Sequence, residues 1–223
     1  MNVFRELKPA DAATLLNALL GFSALIMASQ ADGSFFIQAA VVFILLAAVS
    51  DGIDGFLARR WGSSPLGGDL DSLADSISFG VAPAFLAITA FRLQSFVLAT
   101  GFFYLLASLL RLARFNASPK DERFFEGLPV PAASILLAAS VLYGNAIITS
   151  FLALALAALM VSSAPYPKVR DLRALSLMGL TILAAAFLIW QQVDVTYAAL
   201  LLIAVIIIYI ISPVVASRQR KGK

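Results

Sequence analysis

The chain of 223 residues contains no cysteine and no histidine. Those two absences remove disulfides, thiol nucleophiles, imidazole bases and the usual zinc ligand sets together. Charge is scarce as well: 13% of the residues are Asp, Glu, Lys or Arg against 61% hydrophobic, and the mean hydropathy is +0.93. A soluble domain of this size could not hide so much apolar surface, so the long apolar runs read as membrane spans. Any chemistry is left to Asp, Glu, Lys, Arg, Ser and Tyr.

The runs fall near residues 12–29, 35–60, 71–91, 95–115, 130–145, 147–164, 173–190 and 195–215. At roughly 20 residues per span they predict an all-α integral membrane protein, a polytopic helical bundle of about eight transmembrane helices. The fifth and sixth are short and divide at Tyr143-Gly144-Asn145. Ahead of the first run, 3-VFRELK-8 sets Val3, Phe4 and Leu7 on one helical face against Arg5, Glu6 and Lys8, which suits a short N-terminal helix lying on the membrane surface. It has neither the apolar core nor the small-residue cleavage site of a signal peptide and is read as retained. No linker divides the chain, so residues 1–223 are expected to form one membrane domain.

A pI near 9.4 suggests nucleic acid in a soluble protein. Here the basic residues stand between apolar runs, where positive charge sets topology, so no nucleic-acid partner is expected. With both termini cytoplasmic, the inside group is Arg5, Lys8, Arg59, Arg60, Arg111, Arg114, Lys120, Arg123, Lys168, Arg170, Arg173, Arg218, Arg220, Lys221 and Lys223, and of the 16 basic residues only Arg92 lies outside. No internal repeat is evident, which counts against an inverted-repeat transporter.

Asp51, Asp54, Asp71 and Asp75 crowd into 51-DGIDGFLARRWGSSPLGGDLDSLAD-75. A carboxylate near hydrocarbon costs roughly 2.5–3.5 kcal/mol on insertion scales, so a group of them implies a compensating cation. The second span runs through about 15 apolar residues before Asp51, or roughly 22 Å of a core about 30 Å thick, which puts the acids near the cytoplasmic face. Asp51 and Asp54, at i, i+3, share one helical face, and Asp71 and Asp75, at i, i+4, share another. Two adjacent helices joined by Arg60 to Gly68 can therefore aim four carboxylates at one point, while Asp69 points about 160° away from Asp71. Oxygen-only ligands select hard cations, Mg²⁺ or Mn²⁺ where phosphate is handled, with Ca²⁺ a less demanding occupant. Two ions bridged by Asp would clamp a diphosphate. Helix capping and ion pairs with Arg59 and Arg60 are the alternative, but caps do not account for Asp51 and Asp54 inside a helix. Gly52, Gly55 and Ala58 make a smooth strip alongside, which suits close helix packing.

These residues resemble a known motif. Asp51, Asp54-Gly55, Ala58-Arg59, Gly67, Asp71 and Asp75 are similar to the D-x-x-D-G-x-x-A-R, G-x-x-x-D-x-x-x-D pattern of the CDP-alcohol phosphatidyltransferase family, with a connection from Arg59 to Gly67 one residue shorter than in most members. Lys8-Pro9-Ala10-Asp11 followed by Thr14, Asn17 and Gly21 resembles the family's first span. Further on, 71-DSLADSISFGVAPA-84, 110-LRLARFN-116 and 125-FEGLPVPAA-133 look like the phosphatidylserine and archaetidylserine synthase branch. The resemblance covers residues 8–133, and the helices over about 134–215 add only hydrophobic bulk.

The resemblance implies an enzyme in which L-serine displaces CMP from the β-phosphate of a CDP-lipid, either CDP-diacylglycerol or CDP-archaeol. It assigns metal binding to Asp51, Asp54, Asp71 and Asp75, the general base to Asp75, and nucleotide contacts to Asn17, Gly55, Ala58 and Arg59. It also implies a homodimer surrounded by membrane lipids. Glycerol phosphate or an inositol phosphate as acceptor remains an alternative within the family, and a cation transporter or channel remains one outside it. A serine carboxylate suits a bidentate guanidinium, which makes Arg111 and Arg114, at i, i+3, candidates for it or for the lipid phosphate.

Overall fold

The computed structural model describes residues 6–30, 33–117, 124–167, 172–191, 195–204 and 206–207. Most of the expected surface helix over 3–8, the basic residues Arg5, Lys120, Arg123, Lys168, Arg170, Arg218, Arg220, Lys221 and Lys223, and the last part of the eighth run lie outside them. The described chain is a helical bundle: α1 Pro9–Ser29, α2 Ser34–Trp61, α3 Gly67–Ala90, α4 Ser95–Ala117, α5 Val130–Leu142, α6 Ala146–Val161, α7 Leu172–Trp190 and α8 Val195–Ala204. Among these, α1 to α4 are long and apolar enough to cross a membrane, whereas α5 and α6 have 13 and 16 residues. Against the expectation of eight spans, four of the described helices have spanning length and the other apolar helices are shorter. The short pair comes from the turn at Tyr143-Gly144: Gly144 takes φ 75°, and Asn145 Oδ1 caps α6 by accepting from the N–H groups of Ile147 and Ile148, both at 3.1 Å.

The helices are patterned for lipid rather than water. On α1 the buried face is Ala10, Asp11, Thr14, Asn17, Gly21, Ala24 and Ala28, while Leu15, Leu16, Leu19, Phe22 and Ile26 are exposed. Polar and small residues turn inward because a bilayer satisfies no polar group and bulk is free to face the tails. Pro9 sits at the first helical position, where its missing N–H costs nothing, and Asp11 reaches back to accept from Lys8 N–H at 2.6 Å.

Ser76–Val81, in the middle of α3, winds as a π-helix directly after Asp75. Pro83 explains the widening: in an α pattern its ring would press on the carbonyl of Phe79 and offer that oxygen no N–H. Tyr104 of α4 supplies the missing donor, its hydroxyl lying 3.0 Å from Phe79 O. The widened turn is gripped from both sides, by Gly21 of α1 and by Ser108 of α4 against Gly80.

Two connections that the sequence leaves as plain loops pair as strands, β1 Phe124–Glu126 antiparallel to β2 Pro165–Pro167. Since α5 and α6 run between them, the pairing closes that hairpin at one end of the bundle. At the same end Lys8 Nζ donates to Ser63 O at 2.9 Å and Ser72 Oγ donates to Asn116 Oδ1 at 3.0 Å. Arg92 lies elsewhere, in the α3–α4 turn, with Arg92 and Leu93 both at positive φ.

The α1–α3 contact is tight enough to test. A Cβ on Gly21 would sit 2.6 Å from Ser78 Cα, whereas one on Gly68 would meet nothing within 4 Å. Gly21→Ala is expected to destabilise by about 1–3 kcal/mol through overpacking, and Gly68→Ala to gain up to about 1 kcal/mol of helix propensity. Thermal unfolding of the purified variants in detergent reads both; an unchanged Gly21→Ala would contradict the close approach.

Candidate active site

Asp51, Asp54 and Asp71 each present a carboxylate oxygen such that the three lie within 4.8 Å of one another. One cation can be reached by all three, and three unpaired anions at that separation would repel strongly in a low-dielectric setting. Asp75 stands beside the triplet rather than in it, 7% exposed, with Oδ1 accepting from Asn17 Nδ2 at 3.0 Å. The charges of Asp51, Asp71 and Asp54 reach it. Asp54 is 6% exposed and accepts from Thr14 Oγ1 at 2.9 Å. Both donors are neutral, so they orient the carboxylates without cancelling their charge. The set fits a hard divalent cation by its oxygen chemistry and its spacing. Asp69 is exposed and outside the triplet, as its helical angle requires.

A cavity of about 660 Å³ opens against these acids. Asp51, Asp71, Asp75 and Arg111 form its polar end, and Leu112, Val130, Ile135, Leu183 and Ile206 line the remainder. Such a volume with a few convergent polar groups is typical of a small-molecule site. The C-terminal helices do more than add bulk: α7 packs on α2, which brings Met178, Gly179 and Leu183 to the cavity wall. The strip on α2 also differs from a helix–helix seam. Gly52 faces the cavity, and a Cβ there would meet nothing within 4 Å. Gly55 is covered by its own helix, Arg59 Nη1 lying 3.4 Å from where a Cβ would be. Gly55, Ala58 and Arg59 sit on the last turns of α2 beyond Asp54 and do not line this cavity.

The two arginines part company. Arg111 is 5% exposed, lines the cavity, and donates through Nη2 to Gly127 O at 3.4 Å. Arg114 turns to the end of α6, with Nη2 donating to Met160 O at 2.6 Å and Nη1 to Ser162 O at 3.1 Å. The i, i+3 spacing leaves about 60° between them, enough to send one inward and the other to a helix C-terminus. Gly127, at φ 78°, joins the two: its N–H donates to Ala164 O at 2.8 Å, and a Cβ on it would lie 2.9 Å from Ser162 O and 3.0 Å from Arg114 Nη2.

Some residues of the site carry no chemical signal in isolation. Asp11 is 1% exposed and accepts from Ser64 Oγ at 3.0 Å, which pins the α2–α3 connection to α1. Gly67 packs there, a Cβ on it falling 3.3 Å from Asp11 Oδ1, while Gly68 is open. The available signal was the polar series 11, 14, 17 on an otherwise apolar helix, since residues three apart share a face.

A family model described as CDP-alcohol phosphatidyltransferase matches residues 7–166. An archaetidylserine synthase of Methanothermobacter thermautotrophicus is 36% identical over 167 residues, which is 71% of this chain and 69% of that protein. A CDP-diacylglycerol–serine O-phosphatidyltransferase of Methanocaldococcus jannaschii is 35% identical over 161 residues, 71% of this chain and 73% of that protein. A protein of the same description from Saccharomyces cerevisiae is 39% identical over 149 residues, covering 61% and 54%. The chain belongs to the CDP-alcohol phosphatidyltransferase family.

Arg114 holds two carbonyls with one planar fork, which a single ammonium cannot reproduce. Arg114→Lys is therefore expected to cost about 1–3 kcal/mol of stability, read as a lower Tm. A Tm equal to the parent's would show that the α6 end does not depend on it.

Proposed function

We propose that this member of the family is a CDP-lipid:L-serine phosphatidyltransferase. Serine's hydroxyl oxygen forms a bond to the β-phosphorus of the CDP-lipid, the bond from that phosphorus to the bridging oxygen breaks, CMP leaves, and the hydroxyl proton passes to Asp75. The observation that carries the reading is the cavity whose polar end joins acids and Arg111 and whose remaining wall is apolar, a shape suited to a charged headgroup with lipid chains. The serine synthases among the relatives support serine as the acceptor.

Asp51, Asp54 and Asp71 would hold Mg²⁺ or Mn²⁺, with Asp75 at the edge of a second position. Bound there, divalent cations would neutralise diphosphate charge and fix the line of displacement. Asp75, held by Asn17 outside the triplet, is better placed to take a proton than a carboxylate spent on metal coordination. Arg111 at the polar end suits the serine carboxylate, and Arg114, engaged with α6, does not. Small residues on α2 would let the cytidine approach beside the cavity, with Gly55, Ala58 and Arg59 as its contacts, whereas Asn17, expected among them, is fully buried and donates to Asp75 instead.

In this reading the chain is one membrane domain with eight spans, a homodimer in the bilayer, with both termini and the site on the cytoplasmic side. The clustering of Lys8, Arg59, Arg60, Arg111 and Arg114 at one end supports that side. A reporter active only outside the cell, fused after Lys223, is expected to stay silent; a signal would invert the topology.

Purified protein given CDP-lipid is expected to release CMP with serine and not with glycerol phosphate or an inositol phosphate. A chelator should stop release, and Mg²⁺ or Mn²⁺ should restore it. Asp51→Asn, Asp54→Asn and Asp71→Asn should each lower turnover by about 10²-fold or more while remaining folded. Arg111→Lys should raise the KM for serine about tenfold and that for the CDP-lipid much less. CMP release with another alcohol alone would replace serine as the acceptor, and full activity in chelator would remove the metal.

A further inference from the structure

We infer that α1 is a positioning helix for the carboxylates: its buried polar stripe Asp11, Thr14 and Asn17 fixes where the acids of α2 and α3 stand. Taken in order along the helix, Asp11 accepts from Ser64 of the α2–α3 connection, Thr14 donates to Asp54 of α2, and Asn17 donates to Asp75 of α3. All three are at most 3% exposed. The inference rests on the functional reading only in taking the carboxylate triplet to be a cation site.

The backbone of α1 takes part as well as its side chains. Ser50, next to Asp51, donates to Ala13 O at 2.8 Å, and Ser78, one turn after Asp75, donates to Asn17 O at 2.9 Å. Each acid-bearing helix is therefore fastened to α1 twice within a turn of its carboxylates, once by the acid itself and once by a serine. Those serine bonds run to carbonyls already used inside α1, so helix formation alone does not call for them.

Stability is a poor explanation of the stripe. Asn17 is fully buried, and among the described residues its Oδ1 has no hydrogen-bond partner, a state that destabilises the fold. A packing residue such as Leu would avoid that cost. What Asn17 provides instead is a fixed donor to Asp75, and Thr14 provides the same to Asp54. Carboxylates crowded within 4.8 Å swing apart when nothing restrains them, and fixed donors hold them in the array a small octahedral cation demands. The sequence spacing agrees: three positions three apart climb one face of α1, and Gly21 follows where the π-segment needs backbone contact.

Direct Mn²⁺ binding to the purified protein, followed by the loss of the free-ion paramagnetic resonance signal, tests this without relying on transferase activity. Thr14→Val keeps the branched shape and removes the donor; it should weaken Mn²⁺ binding about 10- to 100-fold at an unchanged Tm. Thr14→Ser should restore the parent affinity. Ser50→Ala, which removes the fastening from the α2 side, should weaken binding in the same direction and serves if Thr14→Val does not fold. A folded Thr14→Val or Ser50→Ala that binds Mn²⁺ like the parent overturns the positioning role and leaves the functional reading standing. A parent protein that binds no Mn²⁺, while Asp54→Asn is indistinguishable from it, overturns both.

Discussion

Like charges do not gather at a membrane boundary without something to hold them there. Asp51, Asp54 and Asp71 bring oxygens within 4.8 Å of one another, with Asp75 alongside, in a chain that is 61% hydrophobic. Each such group is expensive to desolvate, and together they repel. The rest of the described bundle reads as a response to that constraint. Neutral donors on α1 orient two of the acids, Asp11 and Ser64 fix the connection between the two acid-bearing helices, and a π-segment follows Asp75 so that α3 can continue past Pro83. The demand for positive charge stays unmet by these donors, so the acids could hold a cation.

The second organising feature is how the bundle divides its basic groups. Arg114 is consumed by the end of α6, and Gly127, whose carbonyl Arg111 touches, packs against the same end. Arg111 is then presented to a cavity whose other charged groups are all acids, so that one end of the cavity has both signs of charge and the other has none. An anionic headgroup flanked by a carboxylate and a lipid tail matches that distribution. Side chains of α7, with Ile206 beyond α8, complete the apolar wall. Helices beyond the matched family segment thus contribute surface where lipid chains would lie.

Much of this was legible in the sequence because it depends on local periodicity. The i, i+3 and i, i+4 spacings put the acids on facing sides of two helices, the 100° step excluded Asp69, and Tyr143-Gly144-Asn145 marked a helix boundary by ordinary capping chemistry. What could not be read depends on partners far along the chain. Nothing local says that Arg114 will meet Met160 and Ser162, that residues 124–126 will pair with 165–167, or that Leu183 and Ile206 will line one cavity with Asp51. The π-segment is intermediate: Pro83 signals a distortion, but only Tyr104 shows how the freed carbonyl of Phe79 is satisfied. Thr14 and Asn17 had a place in a resemblance and no physical role until α1 was seen against α2 and α3.

Aligned on α1, α2 and α3 bring together acids that could hold one cation at the polar end of the cavity. Anomalous diffraction from crystals grown with Mn²⁺ tests it most directly. A peak is expected that the carboxylate oxygens of Asp51, Asp54 and Asp71 share, within about 2.5 Å of each, as hard-cation coordination requires. A strong peak at exposed Asp69 with none at the triplet would contradict it.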